Sequence, residues 1–183
     1  MATKSNPGER PHHPAIESVA YTSLSMPAGE ILVAGTERGI CALIVAARAA
    51  MPAARDALQQ YCPAPLVPDA DALADAAAQL AAYVAGTRQS FDLPLDLTGT
   101  PFQRRVWEAL RAIPAGETRS YREVAAAVGA PNGARAVAAA CASNRVALVI
   151  PCHRVVREGG ALAGYRWGAE RKRALLEREG RDR

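Results

Sequence analysis

Residues 100–144, "TPFQRRVWEALRAIPAGETRSYREVAAAVGAPNGARAVAAACASN", hold three helix patterns separated by two sharp breaks. Thr100 is placed as an N-cap, with Pro101 at the first helical position and Gln103 at the third. The pattern that follows puts Phe102, Val106, Ala109, Leu110 and Ile113 on one face, and Pro114 stops it. Ser120 and Glu123 form a second capping box, opening "YREVAAAV", which Gly129 ends. "APN" turns the chain again, and "GARAVAAACASN" reads as a third helix up to Asn144. Two short helices joined by a tight Gly-containing turn fit a helix-turn-helix; the alternative is an Ala-rich packing pair. In the first reading the third helix is the recognition element. Arg135 stands near its start, and Ala136, Ala138, Ala139 and Ala140 leave a slim face that can approach a partner closely.

Outward toward the C-terminus, "VALVI" (146–150) is a continuous apolar run and predicts a buried strand. It leads into "PCHRVV" (151–156), a Gly-rich loop "ALAGYRWG" (161–168) and a final helix "AERKRALLERE" closed by Gly180. Toward the N-terminus, "IESVAYTSL", "EILVAGT" and "GICALIVAA" are separated by the turn chemistry "PAG" and "ERG", which predicts a small antiparallel meander. "MPAARDALQQY" reads as a short helix, "CPAPLVP" as a Pro-rich break, and "DADALADAAAQLAAYVAG" as a helix ending near Gly86. "FDLPLDLTG" reads as an extended linker. The expected class is α+β: a small N-terminal antiparallel sheet with helices, then a mostly helical, winged-helix-like half. The expected division is a disordered tail (1–15), a scaffold domain (16–96) and a reactive domain (100–183).

Composition bounds the function. Half of the 183 residues are hydrophobic, yet no run approaches the roughly 20 apolar residues of a membrane span. The first residues lack the apolar core of a secretory signal, so a cytoplasmic protein is expected. Residues 1–100 hold six Lys/Arg against ten Asp/Glu, net −4; residues 101–183 hold sixteen against eight, net +8. An acidic half followed by a basic one points to a polyanion partner for the second. Four cysteines at irregular spacing, with no CxxC pair, argue against a disulfide framework. A structural zinc site is not expected, because His12 and His13 lie in the tail and leave only His153. Cys41, Cys62 and Cys141 read as ordinary core or helix residues.

Cys152 is different. A cysteine becomes nucleophilic when its thiolate is stabilised and reachable, and His153 and Arg154 adjoin it in sequence. On a regular strand these neighbours would point to opposite faces, so either the backbone bends here or a water bridges the two groups. A histidine base needs an orienting carboxylate, and Glu158, Glu170, Glu177 and Glu179 are all candidates by spacing. A core strand that ends in Pro-Cys-His-Arg must find partners for its polar groups, which favours chemistry over an inert thiol. A cysteine hydrolase would need a histidine distant in sequence, and only the tail could supply one. A reactive thiol beside a basic helix-turn-helix leaves two readings: chemistry on DNA by a protein nucleophile, or a DNA-binding thiol sensor.

"PCHRVV" resembles the active-site signature of the O6-alkylguanine-DNA alkyltransferases, the methylated-DNA–protein-cysteine methyltransferases. "TPFQRRVWEALRAIPAGETRSY", "ARAVAAACASN" and "AGYRWG" support the resemblance in order and spacing. It covers residues 16–180 and is nearest to the C-terminal half of the bacterial adaptive-response protein. It implies direct-reversal repair: O6-alkylguanine, and by extension O4-alkylthymine, is flipped from duplex DNA, and its alkyl group passes irreversibly to Cys152, once per molecule. His153 would activate the thiol through a water and be oriented by Glu179. Tyr121 would crowd the 3′ phosphate and hydrogen-bond the extruded base, while Arg135 fills the gap it leaves. Ala134 and Ala136 would flank that arginine against the minor groove. Val155, Tyr165, Arg166 and Trp167 would form the pocket, with Trp167 at its lip, and Asn144 would brace the turn before the thiol. No cofactor or metal is implied, and the protein would act as a monomer on double-stranded DNA irrespective of sequence. The adaptive-response protein's zinc domain, which repairs phosphotriesters, has no counterpart in the resemblance. Nor does Cys152 fit the non-catalytic alkyltransferase-like binders, which lack the acceptor cysteine.

Overall fold

The computed structural model describes residues 16–26, 29–162 and 164–181; the expected disordered tail, 1–15, lies outside the described residues. Strands β1 (Val19–Met26), β2 (Gly29–Thr36) and β3 (Gly39–Ala46) form the expected antiparallel meander, with Ser23 opposite Leu32 and Leu32 opposite Ile44. Alternate residues face opposite ways. Ile31, Val33, Leu43 and Val45 join an apolar cluster that runs into the C-terminal half, while Leu32, Ala34, Ala42 and Ile44 pack in a second cluster with Leu58 of helix α1 (Met51–Tyr61). β3 is buried along its whole length, which is why "GICALIVA" reads as a continuous run.

The sheet is mixed rather than purely antiparallel. β4 (Leu66–Pro68) pairs in parallel with the outer edge of β1, Val19 opposite Leu66. Three residues inside a Pro-rich break are too few to show a period of two, and an edge strand tolerates the missing N–H of Pro68. Helix α2 (Ala74–Ala85) starts later than its acidic lead-in predicts and ends at Gly86, which adopts the left-handed conformation of a helix stop.

The expected linker is a strap on the sheet. Ile40 donates its N–H to Pro94 at 2.8 Å, and Asp96 donates to the Ile40 carbonyl at 2.9 Å. Asp96 then accepts from Thr36 Oγ1 at 2.7 Å and from Arg38 Nη2 at 3.0 Å. Gly39 permits this approach: its φ is +138°, and a Cβ there would lie 2.4 Å from the Pro94 oxygen.

Helix α3 (Pro101–Arg111) carries the full Thr100–Gln103 capping box, and α4 (Tyr121–Ala127) carries that of Ser120 and Glu123. Buried Trp107, absent from the predicted apolar face of α3, donates Nε1–H to the Ala140 carbonyl at 2.8 Å and ties α3 to α5 (Ala134–Ala142). Two short parallel strands, β5 (Arg119–Ser120) and β6 (Val155–Val156), link the start of α4 to the residues just after Cys152. The last helix, α6 (Ala169–Arg181), continues through Gly180. Among the described residues, no helix is long and apolar enough to cross a membrane.

Candidate functional site

The predicted strand over 146–150 is not one. Val146 makes a single bridge to Leu43, after which the chain turns, with Leu148 at φ +68°. Total burial produced the apolar run, and a buried turn has the same composition as a buried strand. Asn144 supplies the hydrogen bonds that a strand partner would otherwise provide. Its Oδ1 accepts from Val146 N–H at 2.9 Å, and its Nδ2 donates to the Ile150 carbonyl at 2.9 Å and to Cys152 Sγ at 3.2 Å. Fully buried Asn144 therefore shapes the turn and holds the sulphur at its end.

Cys152, His153 and Arg154 form a 3₁₀ turn, so the backbone bends where strand geometry would have separated thiol and imidazole. His153 is fully buried and its Nε2 lies 2.9 Å from Glu179 Oε1. Of the four glutamates open to sequence reasoning, the fold brings Glu179 to the histidine. Arg154 does not turn toward the thiol. Its Nε and Nη2 donate to the two oxygens of Glu179 at 2.8 and 2.9 Å, and Nη1 donates to the Ile113 carbonyl. Tyr83 of α2 adds its hydroxyl to Glu179 Oε1 at 2.9 Å.

These contacts fix the protonation pattern. Burial favours the neutral acid at Glu179, but the bonds from His153 and Arg154 outweigh it and hold the carboxyl well below its usual range. Burial dominates at His153 and lowers its pKa, leaving a neutral ring. An ionised carboxylate only accepts, so His153 Nε2 carries the proton, and Nδ1 is the unprotonated, basic nitrogen. Nδ1 has no hydrogen-bond partner among the described residues. The close His153–Glu179 pair is thus a neutral donor on an anion, and the charge of Glu179 is balanced by Arg154.

Burial pushes the Cys152 thiol up to about 11, opposed by the Asn144 hydrogen bond and by the charges of Lys172 and Arg166. Lys172 is a residue that sequence reasoning missed. It is fully buried, its Nζ donates to the Val155 carbonyl, and its ammonium interacts favourably with Cys152. Set among Glu170, Arg171 and Arg173, Lys172 gives no sign in the sequence that it points inward.

A cavity of about 720 Å³ brings Cys152 together with Tyr121, Ala134, Arg135, Tyr165 and Arg166. Arg135 is exposed at the start of α5, and burial pushes the Tyr121 phenol up to about 12. Cys141, on the same helix as Arg135, also lines this space. Two expected pocket residues do not line it. Val155 is fully buried within β6, and Trp167 stands behind Tyr165, edge-on at 5.1 Å between ring centres and packed against both apolar clusters. Trp167 is half-buried and touches Tyr165, which lines the cavity. Ala136 is exposed beside Arg135 without lining the cavity.

Two family models together match most of the chain. The ribonuclease-like domain of 6-O-methylguanine DNA methyltransferase matches residues 19–97, and the DNA binding domain of the same family matches residues 101–181. The bifunctional transcriptional activator/DNA repair enzyme Ada of Escherichia coli is 46% identical over 163 residues, 88% of this chain and 46% of its own length. The chain thus spans about half the length of that relative. The methylated-DNA–protein-cysteine methyltransferase of Methanosarcina barkeri is 40% identical over 87% of this chain and 96% of its own. Among solved structures, Mycobacterium tuberculosis OGT in complex with DNA has a TM-score of 0.74 at 40% identity, covering 90% of this chain and 94% of that one. With both halves matched, and with relatives aligned over nearly their full length, this chain belongs to the 6-O-methylguanine DNA methyltransferase family.

Proposed function

We propose that the protein repairs DNA by direct reversal, taking the alkyl group of O6-alkylguanine onto Cys152. The observation that carries this reading is a cavity-lining thiol held by Asn144, backed in the adjoining buried position by a histidine whose tautomer is set by Glu179. A basic nitrogen, His153 Nδ1, sits one residue from a thiol that burial keeps protonated at neutral pH. The thiol proton passes to Nδ1 through a bridging water, and the imidazolium so formed is stabilised by the Glu179 carboxylate. The thiolate attacks the O6-alkyl carbon, the carbon–oxygen bond breaks, and the departing guanine anion takes up one proton at N1, equal to the one held on His153, which restores its normal hydrogen-bonding face. The new thioether is stable, so each molecule acts once.

The partner is double-stranded DNA, bound through the minor groove by α4 and α5. The target base must leave the stack to reach Cys152, at a cost of a few kcal/mol. Arg135 occupies the gap, and Ala134 and Ala136 leave room for the backbone of DNA to approach. Tyr121, at the cavity edge, bonds the extruded guanine, and Tyr165 stacks on it. The net +8 of residues 101–183 supplies affinity irrespective of sequence. The protein works as a cytoplasmic monomer, with residues 16–96 as scaffold and 100–183 as reactive domain.

The test is intact-protein and peptide mass spectrometry after mixing with a duplex containing one O6-methylguanine. One added methylene on the Cys152 peptide, saturating at one equivalent, is expected. Binding of the duplex without a mass gain at Cys152 overturns the proposal and favours a thiol sensor.

A further inference from the structure

The two cysteines of the N-terminal half, 21 positions apart and unremarkable in sequence, meet in the fold. Cys41 lies on buried β3 and Cys62 directly follows α1, with their sulphurs 4.0 Å apart and within hydrogen-bonding reach of each other. Both are free thiols. We propose that Cys41 and Cys62 are a reversible oxidation site, closing to a disulfide when peroxide is present and leaving Cys152 free for its own chemistry.

Three observations set the order of events. Cys62 is half-buried, whereas Cys41, Cys141 and Cys152 are buried, so peroxide reaches Cys62 most readily. The hydrogen bond from Cys41 lowers the Cys62 pKa, against burial and with help from the Arg145 guanidinium. Burial holds the other buried thiols, Cys141 and Cys152, in the unreactive protonated form. The contact with Cys62 and its own burial push the Cys41 pKa far up, so of the two thiols Cys62 ionises first.

The chemistry balances with peroxide as the oxidant. The Cys62 thiolate attacks one peroxide oxygen, the O–O bond breaks, and hydroxide leaves and is protonated to water. Cys62 is now a sulfenic acid. The Cys41 sulphur displaces its oxygen, a second water leaves, and the S–S bond forms. The two thiols have lost two electrons and two protons, and a cellular dithiol restores them. The sulphurs, 4.0 Å apart, need to close by about 2 Å to reach bonding distance.

The position gives the bond a consequence for the reactive half. Tyr61, next to Cys62, has the guanidinium of Arg145 over its ring at 5.3 Å and that of Arg166 at 5.1 Å. Arg166 lines the cavity that contains Cys152, and Arg145 follows the residue that holds the Cys152 sulphur. Pinning Cys62 to β3 pins Tyr61 and the two arginines stacked on it.

The experiment uses the full chain treated with a few equivalents of hydrogen peroxide, trapped with iodoacetamide and mapped without reduction. A cross-linked peptide pair containing Cys41 and Cys62, lighter by two hydrogens and reversed by dithiothreitol, is expected. Cys152 should remain alkylatable after unfolding, and Cys62→Ser should lose the cross-link and leave Cys41 reduced. Oxidation falling first on Cys152 or Cys141 overturns the proposal. So does accumulation of sulfinic acid on Cys62 without a cross-link, or an unchanged oxidation pattern in Cys62→Ser. None of these outcomes depends on alkyl transfer, so the proposal stands or falls apart from the repair reading.

Discussion

Tyr83, on a helix of the acidic half, donates its hydroxyl to Glu179 Oε1 at 2.9 Å across 96 positions of chain. The same oxygen lies 2.9 Å from His153 Nε2, so the N-terminal half reaches the residue that orients the histidine. Burial, with the Glu179 charge behind it, pushes the Tyr83 phenol far above its ordinary pKa, and the group acts as a permanent donor.

Tyr83→Phe removes one donor and leaves the carboxylate with His153 and Arg154. A stability loss of about 1–2 kcal/mol is expected, with alkyl transfer slowed several-fold and DNA affinity unchanged. Thermal unfolding and single-turnover transfer from an O6-methylguanine duplex check both. An unchanged transfer rate would show that the hydroxyl serves packing alone.

Arg154→Met strips Glu179 of its bidentate partner inside the protein, where both groups are nearly inaccessible to solvent. A buried carboxylate without its cation costs about 3–5 kcal/mol. The variant should therefore unfold at much lower denaturant concentration, and its histidine should titrate differently by NMR. A midpoint within error of the parent would refute the ion-pair account.

Asn144→Ala removes three buried hydrogen bonds at once: those that shape the 144–150 turn and the one to the sulphur. The expected cost is about 2–4 kcal/mol, and transfer should slow more than tenfold. Asn144→Asp separates the roles: it keeps an acceptor for Val146 N–H but presents a negative charge to the thiol. Transfer by Asn144→Asp at the parent's rate would remove the role assigned to the sulphur contact.

Stability should depend on pH with two opposite limbs. Glu179 and His153 both have lowered pKa values when folded, so the unfolded chain binds more protons as acid is added. Stability from His153 is lost as pH falls below about 6.5, and that from Glu179 as pH falls below about 4.3 toward its folded value. Cys152 has the reverse sign: its thiol is raised to about 11, so stability is lost as pH climbs from about 9. Melting curves of Cys152→Ala should show a shallower alkaline decline than the parent. Superimposable alkaline limbs would mean that the thiol keeps its ordinary pKa.

Arg135→Ala should weaken transfer from duplex DNA by tenfold or more while leaving reaction with the free modified base unchanged. Arg135 is exposed, so its removal should not alter the fold. Equal losses on both substrates would place Arg135 in the chemistry rather than in base extrusion.

Local chemistry was legible in the sequence. The two capping boxes at Thr100 and Ser120, the stop at Gly86 and the three-stranded meander all depend on residues within a few positions of each other, and each stands as read. The motif around Cys152 announced a site because buried polar residues need partners. Which partners they find was a matter of tertiary structure. Arg154 adjoins Cys152 in sequence yet binds Glu179, while Lys172, in an ordinary charged helix, supplies positive charge to the thiol. The turn at 146–150 looked like a strand because burial, not backbone conformation, sets its composition; the Asn144 contacts and the positive φ of Leu148 distinguish the two. Tyr83 with Glu179, and Cys41 with Cys62, are contacts between segments far apart in the chain. No period or spacing encodes them; they exist because a shared apolar core brings the two halves together.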